Sequence, residues 1–282
     1  MSTHFPPVQA LTPPSVHVVP KGFTASPQDL MGQRILITGA ASGIGRALAN
    51  WLTHSEVILL DKDERGLEQL AKNFVQTGRP DPLLIPFDLS SLTEDSAAEL
   101  THQIIHEYTP QPDSSPTDAN HHLPALHSIV HLAGLLGELT PLQHYPPYLW
   151  RQLMSTHVES AFLLTQALAP LLQAANRAHV IFTSADEGVA PRAYWGAYAV
   201  SKAALIALTQ VWAAEWQHTS RIKVNIVNTG PVATEQRRQA FPAENPSILR
   251  SPDQALAPFL YLLTKSPASL SGSLIEPTPA QS

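Results

Sequence analysis

The sequence predicts an α/β fold in which helices cover both faces of a doubly wound parallel sheet. Three features predict it. Short apolar runs alternate with longer stretches of helical spacing from about residue 34 onward. Several of the runs, such as Val57-Ile58-Leu59-Leu60, are apolar without interruption, as strands buried on both faces must be. The first run enters a turn with glycines at 39, 43 and 45, after which Ala47, Leu48, Trp51 and Leu52 recur at helical spacing.

The elements follow in order. Pro6, Pro7, Pro13, Pro14, Pro20 and Pro27 crowd residues 1–30. Proline fixes φ and lacks a donor, so an extended, clinging or disordered extension is expected there, with the folded domain over 31–282. Residues 34–38 form a strand leading through the glycine turn into a helix, and 56–60 form the next strand, ended by Asp61. A helix over 63–76 precedes a strand over 83–87, ended by Asp88. Thr93 caps a helix over 93–107. Pro110, Pro112 and Pro116 mark a mobile surface loop. Residues 128–132 give a strand ending in Ala133-Gly134, a long helical pattern covers 147–173, and 180–183 form a strand. A helix over 198–217, a strand over 223–227, a helix near 252–264 and a strand near 272–275 complete the alternation. No repeat or composition shift divides the chain, so a single domain is expected.

Composition narrows the function. A chain of 282 residues with 44% hydrophobic and 14% charged residues is long enough for a substantial core. Its net charge of −6, without any run of Lys and Arg, argues against nucleic acid as a partner. There are no cysteines, which removes thiolate chemistry and disulfides and agrees with a reducing cytoplasm. The amino terminus lacks a signal-peptide pattern, and no run of about 18 consecutive apolar residues offers a membrane span. A soluble cytoplasmic protein is expected.

Chemistry collects where strands end. Small residues in the turn Gly39-Ala40-Ala41-Ser42-Gly43-Ile44-Gly45 let backbone approach a pyrophosphate, while the first N–H groups of the following helix supply donors and a positive dipole end. No Lys-Ser or Lys-Thr follows the glycines, which disfavours a P-loop. Asp61, at the tip of the second strand, can accept both hydroxyls of an adenosine ribose and repels a 2′-phosphate, favouring NAD over NADP. The neighbouring Lys62 keeps NADP open. Asp88, with Leu89 beside it, can reach the adenine edge or simply cap a turn. Tyr198 and Lys202, four apart at a helix start, share one face, so that an ammonium can favour a phenolate and bring its proton within reach of neutral-pH chemistry.

With these residues the chain resembles the short-chain dehydrogenase/reductase family, compact single-domain type. The resemblance rests on Thr38-Gly39-x-x-x-Gly43-Ile44-Gly45, Asp61, Asp88, Ala133-Gly134, Tyr198-x-x-x-Lys202, and Gly230 with Thr234. It implies a Rossmann-like fold binding NAD, and hydride transfer between nicotinamide and a small alcohol or carbonyl. It also implies that Tyr198 is the general acid/base, that Lys202 binds the nicotinamide ribose and lowers the tyrosine's pKa, and that the helices near 147–173 and 198–217 pack against copies in a homodimer or homotetramer.

Four positions depart from the family pattern. Ala185 stands at the catalytic serine, His157 at the asparagine of the proton relay, Leu132 at the asparagine before Ala133-Gly134, and Thr229 at the proline before Gly230. An alanine polarises no carbonyl, and one lost donor of that kind typically costs about 10² to 10³ in rate. Three substitutes stand side by side. Ser184 should face the opposite side of the strand unless a kink turns it inward, Asp186 accepts unless protonated, and His157 can hold a water and titrate near neutrality. A family member that lost efficient catalysis and serves as a nucleotide-binding scaffold is the rival reading. A nucleotide-sugar epimerase of the extended type needs more chain after Gly230 than is present.

Other residues receive plainer expectations. His121, His122, His127 and His131 lack the convergent spacing of metal ligands, and no metal is predicted. Arg237 and Arg238 are expected to be solvated rather than to attract an anion. Tyr194 and Trp195 suit either an apolar substrate wall or ordinary packing.

Overall fold

The computed structural model describes residues 13–109 and 123–279. Eight strands form one sheet in the order β1-β8-β7-β6-β5-β2-β3-β4, and every neighbouring pair is parallel. They are β1 (Val16–Val18), β2 (Arg34–Thr38), β3 (Glu56–Asp61), β4 (Leu83–Pro86), β5 (Ser128–His131), β6 (Ala178–Ser184), β7 (Ile222–Asn228) and β8 (Leu274–Glu276). The chain builds outward from β2 to β4 and then returns to lay β5 on the other side of β2. The order reverses there, and a crevice opens beyond the carboxyl ends of β2 and β5.

The helices are α1 (Gly43–Trp51), α2 (Glu64–Gln76), α3 (Glu94–Tyr108), α4 (Pro147–Met154), α5 (Ser160–Gln173), α6 (Asp186–Val189), α7 (Gly196–Trp216), α8 (Glu235–Ala240) and α9 (Ala257–Thr264). Alternation along each strand feeds two cores. Leu36, Ile58, Leu60, Val180 and Phe182 pack with Leu100 of α3, Leu164 and Leu168 of α5 and Leu205 of α7. Ile35, Ile37, Val57, Leu59 and Ile181 pack with Leu48 of α1, Leu70 and Phe74 of α2 and Phe259 of α9. An uninterrupted apolar strand is therefore the signature of a sheet with two buried faces.

Local chemistry explains the helix ends. Asp63 caps α2 by accepting from Gly66 N, and Thr93 caps α3 by accepting from Ser96 N. Helix α7 is long and apolar enough to cross a bilayer by length and composition. One face of it is buried beneath the sheet, where Leu205, Ala213 and Trp216 join the core.

Two elements differ from the sequence-based expectations, and the amino-terminal extension takes its extended, clinging form. The proline-rich amino terminus contributes an edge strand: β1 pairs with β8, Ser15 O accepts from Leu274 N, and Val19 N donates to Glu276 O. Pro13, Pro14 and Pro20 flank the strand without interrupting it, which an edge position tolerates. The last helix begins at Ala257 rather than near 252, because Pro258 fits only the first turn of a helix. The long helical pattern over 147–173 is divided by a π-helical turn at Ser155–Glu159, where Ser160 N donates to Ser155 O. All but Thr109 of the predicted loop over 109–118, together with His121, His122 and residues 1–12, lies outside the described residues.

Two histidines are sealed in the strands. His131 stacks on Phe182 at 4.9 Å and its Nε2 meets Thr165 Oγ1 at 3.1 Å, while neither ring nitrogen of His179 has a partner among the described residues. Burial pushes both down to about 3. A histidine held neutral in the folded state contributes stability fully above its unfolded value of about 6.5, and loses it as pH falls toward the folded value. Denaturant unfolding should therefore show a loss on the order of 2 kcal/mol per histidine between about pH 7 and pH 5. His179→Leu should flatten that dependence, and an unchanged slope would contradict the assignment.

Candidate active site

The site starts at the close approach of two chain segments. Gly39 has φ +69°, and a Cβ there would lie 2.8 Å from the backbone of Ala133 at the end of β5. A Cβ on Gly45 would lie 2.1 Å from Gly39 O. Only glycine lets the turn fold back on α1 and against β5 at once. Thr38 Oγ1 secures the same junction by accepting from Leu132 N and Ala133 N, each at 3.1 Å. Ser42 is exposed at the N-cap of α1, and its side chain makes no capping hydrogen bond.

Asp61 ties the tip of β3 to this turn, its Oδ2 accepting from Ala41 N and its Oδ1 from Asp63 N, both at 3.0 Å. A carboxylate offers about four lone-pair sites, so acceptor capacity remains for a ligand hydroxyl. Asp88 Oδ1 accepts from Ser90 N at 2.9 Å and caps a short 3₁₀ turn containing the buried Leu89. These residues line one end of a cavity of about 460 Å³ that continues past Gly43, Ile44, Ala133 and Gly134 to Tyr198, Lys202, Gly230 and Thr234. The structure thus brings the sequence-predicted cofactor residues and the Tyr/Lys pair into one cleft.

Tyr198 and Lys202 stand one turn apart on α7. Lys202 Nζ donates to Thr183 O at 2.9 Å and lies 5.7 Å from the centre of the Tyr198 ring. Burial pulls its pKa down to about 8. Tyr198 departs from the expectation of a lowered pKa. Burial raises it, Glu187 and then Asp186 raise it further, and Gln236 and Arg237 oppose them. In this cleft desolvation and two carboxylates outweigh the Arg237 cation and the Gln236 amide.

His157 sits in the π turn and is buried. Its Nε2 lies 2.9 Å from Leu135 N, a group that only donates, so Nε2 is the acceptor and the ring proton resides on Nδ1. Nδ1–H then donates to Ser201 Oγ at 2.7 Å, and Ser201 donates to Tyr198 O at 2.8 Å. Burial, with Lys202 adding, holds His157 well below the ordinary histidine range. The relay expected of His157 is corrected: both nitrogens are spent on protein, and the ring braces the first turn of α7 as a neutral group.

Ser184 is likewise withdrawn from proton chemistry. It lines the cavity, but its Oγ is engaged with protein, donating to Lys202 O at 3.3 Å. Ala185 packs apolarly beside Trp195, Tyr198 and Phe241. Asp186 Oδ1 accepts from Asn228 Nδ2 at 2.9 Å, and Glu187 is ion-paired with Arg192. The arginines after Gly230 divide: Arg238 is 75% exposed, as expected of a solvated group, whereas Arg237 is largely buried. Arg237 is clamped to Glu244 by two bonds of 2.6 Å, and Arg238 pairs with Glu235. Tyr194 and Trp195 divide: Trp195 is buried and lines the cavity, whereas Tyr194 is 61% exposed. His127 accepts from Arg34 N and His131 meets Thr165, so the two make separate contacts.

Sequence reasoning missed Thr183, Ser201, Glu187 and Gln236 as parts of the site. Ser201 was findable from its position three residues after Tyr198, which puts it on the same helical face. Thr183 acts through its backbone carbonyl, and Glu187 and Gln236 arrive from separate elements, α6 and α8, with no local signal.

Comparison with known proteins agrees with this arrangement. Residues 33–245 match the family model of the short chain dehydrogenases. The oxidoreductase YciK of Escherichia coli is 35% identical over 260 residues, covering 90% of this chain and 95% of that protein. A short chain dehydrogenase from Salmonella enterica superposes with a TM-score of 0.82 at 32% identity, covering 90% of this chain and 99% of the other. One from Shigella flexneri, complexed with NADP, superposes with a TM-score of 0.79 at 35% identity, covering 88% and 98%.

Tyr194 carries backbone strain at the rim of the cleft. Among the described residues it is the one non-glycine with positive φ, at 72°, and bulky side chains pay on the order of 1 kcal/mol or more for that conformation. Tyr194→Asn should raise unfolding stability by about 1 kcal/mol in denaturant titration. A destabilised variant would show that the exposed ring makes contacts that outweigh the strain.

Proposed function

The chain belongs to the short-chain dehydrogenase family, and from that membership we propose that it reduces small carbonyl compounds with NADH. Oxidoreductase chemistry with a nicotinamide dinucleotide follows from the family; the direction, the cofactor and the residue roles are our reading. The observation that carries it is the convergence, at the reversal point of one parallel sheet, of the glycine turn with Tyr198 and Lys202 on one face of α7.

The cleft fits a dinucleotide. The glycine turn and the open N-cap of α1 would take the pyrophosphate, Asp61 the adenosine ribose, Asp88 and Leu89 the adenine, and Lys202 the nicotinamide ribose. A reduced nicotinamide bound there supplies a hydride. Tyr198 supplies the proton: burial and the carboxylates of Glu187 and Asp186 keep its hydroxyl protonated at neutral pH, the state needed to hand a proton to a developing alkoxide. Lys202, anchored on Thr183 O, holds an ammonium beside the ring and favours the phenolate left behind. His157 and Ser201 set the rotation of the first turn of α7 and so the direction of Tyr198. The apolar wall of Leu136, Trp195 and Phe241 favours the uncharged part of a substrate.

NADH rather than NADPH rests on Asp61, since a 2′-phosphate would face a carboxylate already fixed by two backbone N–H groups. The Shigella neighbour was solved with NADP, which makes the comparison decisive to run. Fluorescence titration should give at least about tenfold tighter binding of NADH, and Asp61→Asn should narrow the gap. Tighter NADPH binding by the unmodified protein would refute the assignment. The rival reading, a nucleotide-binding scaffold, is favoured by Ala185, and predicts dinucleotide binding with no turnover of any carbonyl.

The same electrostatics give a pH dependence. Reduction needs the tyrosine protonated, whereas oxidation of an alcohol needs it ionised, so the oxidative rate should climb only in alkaline solution. Glu187→Gln removes the carboxylate that raises Tyr198 more than Asp186 does and should move that climb to lower pH by up to about one unit. A profile that stays in place would show that Glu187 does not act on Tyr198.

A further inference from the structure

We propose that Glu187 selects carbonyl substrates that carry a positively charged nitrogen, so that the cleft takes amino ketones and amino aldehydes. The inference rests on the reductase reading above and names the substrate class of that same site.

A carboxylate withdrawn from water is costly unless a cation compensates it. Among the described residues Glu187 is the one buried carboxylate, at 5% exposure, and it lines the cavity with Trp195 and Tyr198. The other acids around the cavity are placed differently. Asp61 and Asp88, at the far end of the cleft, accept from backbone N–H groups. Asp186 is exposed and tied to Asn228, and Glu235 pairs with Arg238 at the surface.

Glu187 is compensated from one side. Arg192 reaches its Oε1, and that arginine side chain is 54% exposed, so the balancing charge stands in water. Oε2 has no protein partner among the described residues. Both oxygens of a carboxylate accept, so one remains for a group in the cavity. A cation held against a buried carboxylate is attracted more strongly than one in solvent.

The surrounding rings suit the same ligand. Trp195 and Tyr198 both line the cavity, with ring centres 5.6 Å apart. The Arg192 guanidinium already lies 5.3 Å from the centre of the Trp195 ring, so this indole receives positive charge. Aromatic rings beside a carboxylate are what recognises an alkylated ammonium. The cations of the protein nearby are engaged elsewhere, Lys202 with Thr183 O and Arg237 with Glu244.

The nitrogen keeps its charge throughout the reaction. The carbonyl carbon gains the hydride that a bound reduced nicotinamide supplies, the π pair moves to oxygen, and the Tyr198 proton completes an amino alcohol. Glu187 transfers nothing and acts on binding and orientation.

The test uses the full chain with NADH or NADPH, whichever binds more tightly, and a matched pair of ketones. Acetonyltrimethylammonium is permanently charged, and methyl neopentyl ketone is its uncharged counterpart of the same shape. The measured quantity is the ratio of kcat/KM for the charged ketone to that for the uncharged one at neutral pH. An ammonium also activates its own carbonyl, so the change in the ratio on substitution is what reads Glu187. The isosteric Glu187→Gln should lower the ratio by at least about tenfold. Arg192→Gln removes a competing cation and should raise it. A merely structural ion pair would slow both ketones alike and leave the ratio in place, and dinucleotide binding reports the folding of each variant. A ratio that Glu187→Gln leaves in place, or that Arg192→Gln fails to raise, overturns the assignment of Glu187 while the reductase reading stands. Reduction of neither ketone by the unmodified protein, or a Tyr198→Phe variant with unchanged kcat, overturns the reductase reading and this inference with it.

Discussion

The site depends on a backbone contact that admits no side chain. At the reversal of the sheet, the turn after β2 presses against the end of β5, and within the turn Gly39 O lies under the start of α1. Protein interiors are packed closely enough that even one added methyl at such a point forces the segments apart. Because α1 begins there, its first N–H groups face the crevice, and because β5 ends there, Ala133 and Gly134 form the floor between the two halves of the cleft. Thr38 and Asp61 then fix the surrounding backbone by side-chain acceptors, so the cradle is set by main-chain geometry and by hydrogen bonds within the fold.

The other half of the cleft is governed by desolvation. Lys202, Tyr198 and His157 are all buried, and each is moved toward its neutral form. The fold answers by satisfying them with protein. Lys202 takes the Thr183 carbonyl, and His157 is threaded between Leu135 N–H and Ser201. Burial of a polar group is tolerable only with such partners. The π turn at Ser155–Glu159 belongs to the same solution, since it supplies the residue that bridges the β5 end and α7.

Much of this was legible along the chain. Strand runs covered on both faces, the glycine turn, the cap at Thr93, and the Tyr198/Lys202 spacing are local patterns with local causes, and they appear where the patterns place them. What escaped was of two kinds. The edge strand β1 is only three residues long and exposed, held by pairing with β8 at the far end of the chain, so it leaves no periodic trace. The state of His157 and the partner taken by Ser184 depend on groups far away in the sequence: Leu135 and Ser201, and the carbonyl of Lys202.

By itself, then, the sequence determined the alternation of elements, the family, and the residue types available at the strand ends, because hydrophobic periodicity and glycine's freedom act over a few residues. Only the tertiary structure decided which of those groups remain free for chemistry. A hydroxyl or an imidazole is useful in a cleft only if no neighbour has already taken its lone pairs and protons, and those neighbours come from other elements. Hence His157, which its residue type marks as a proton carrier, is a fixed brace.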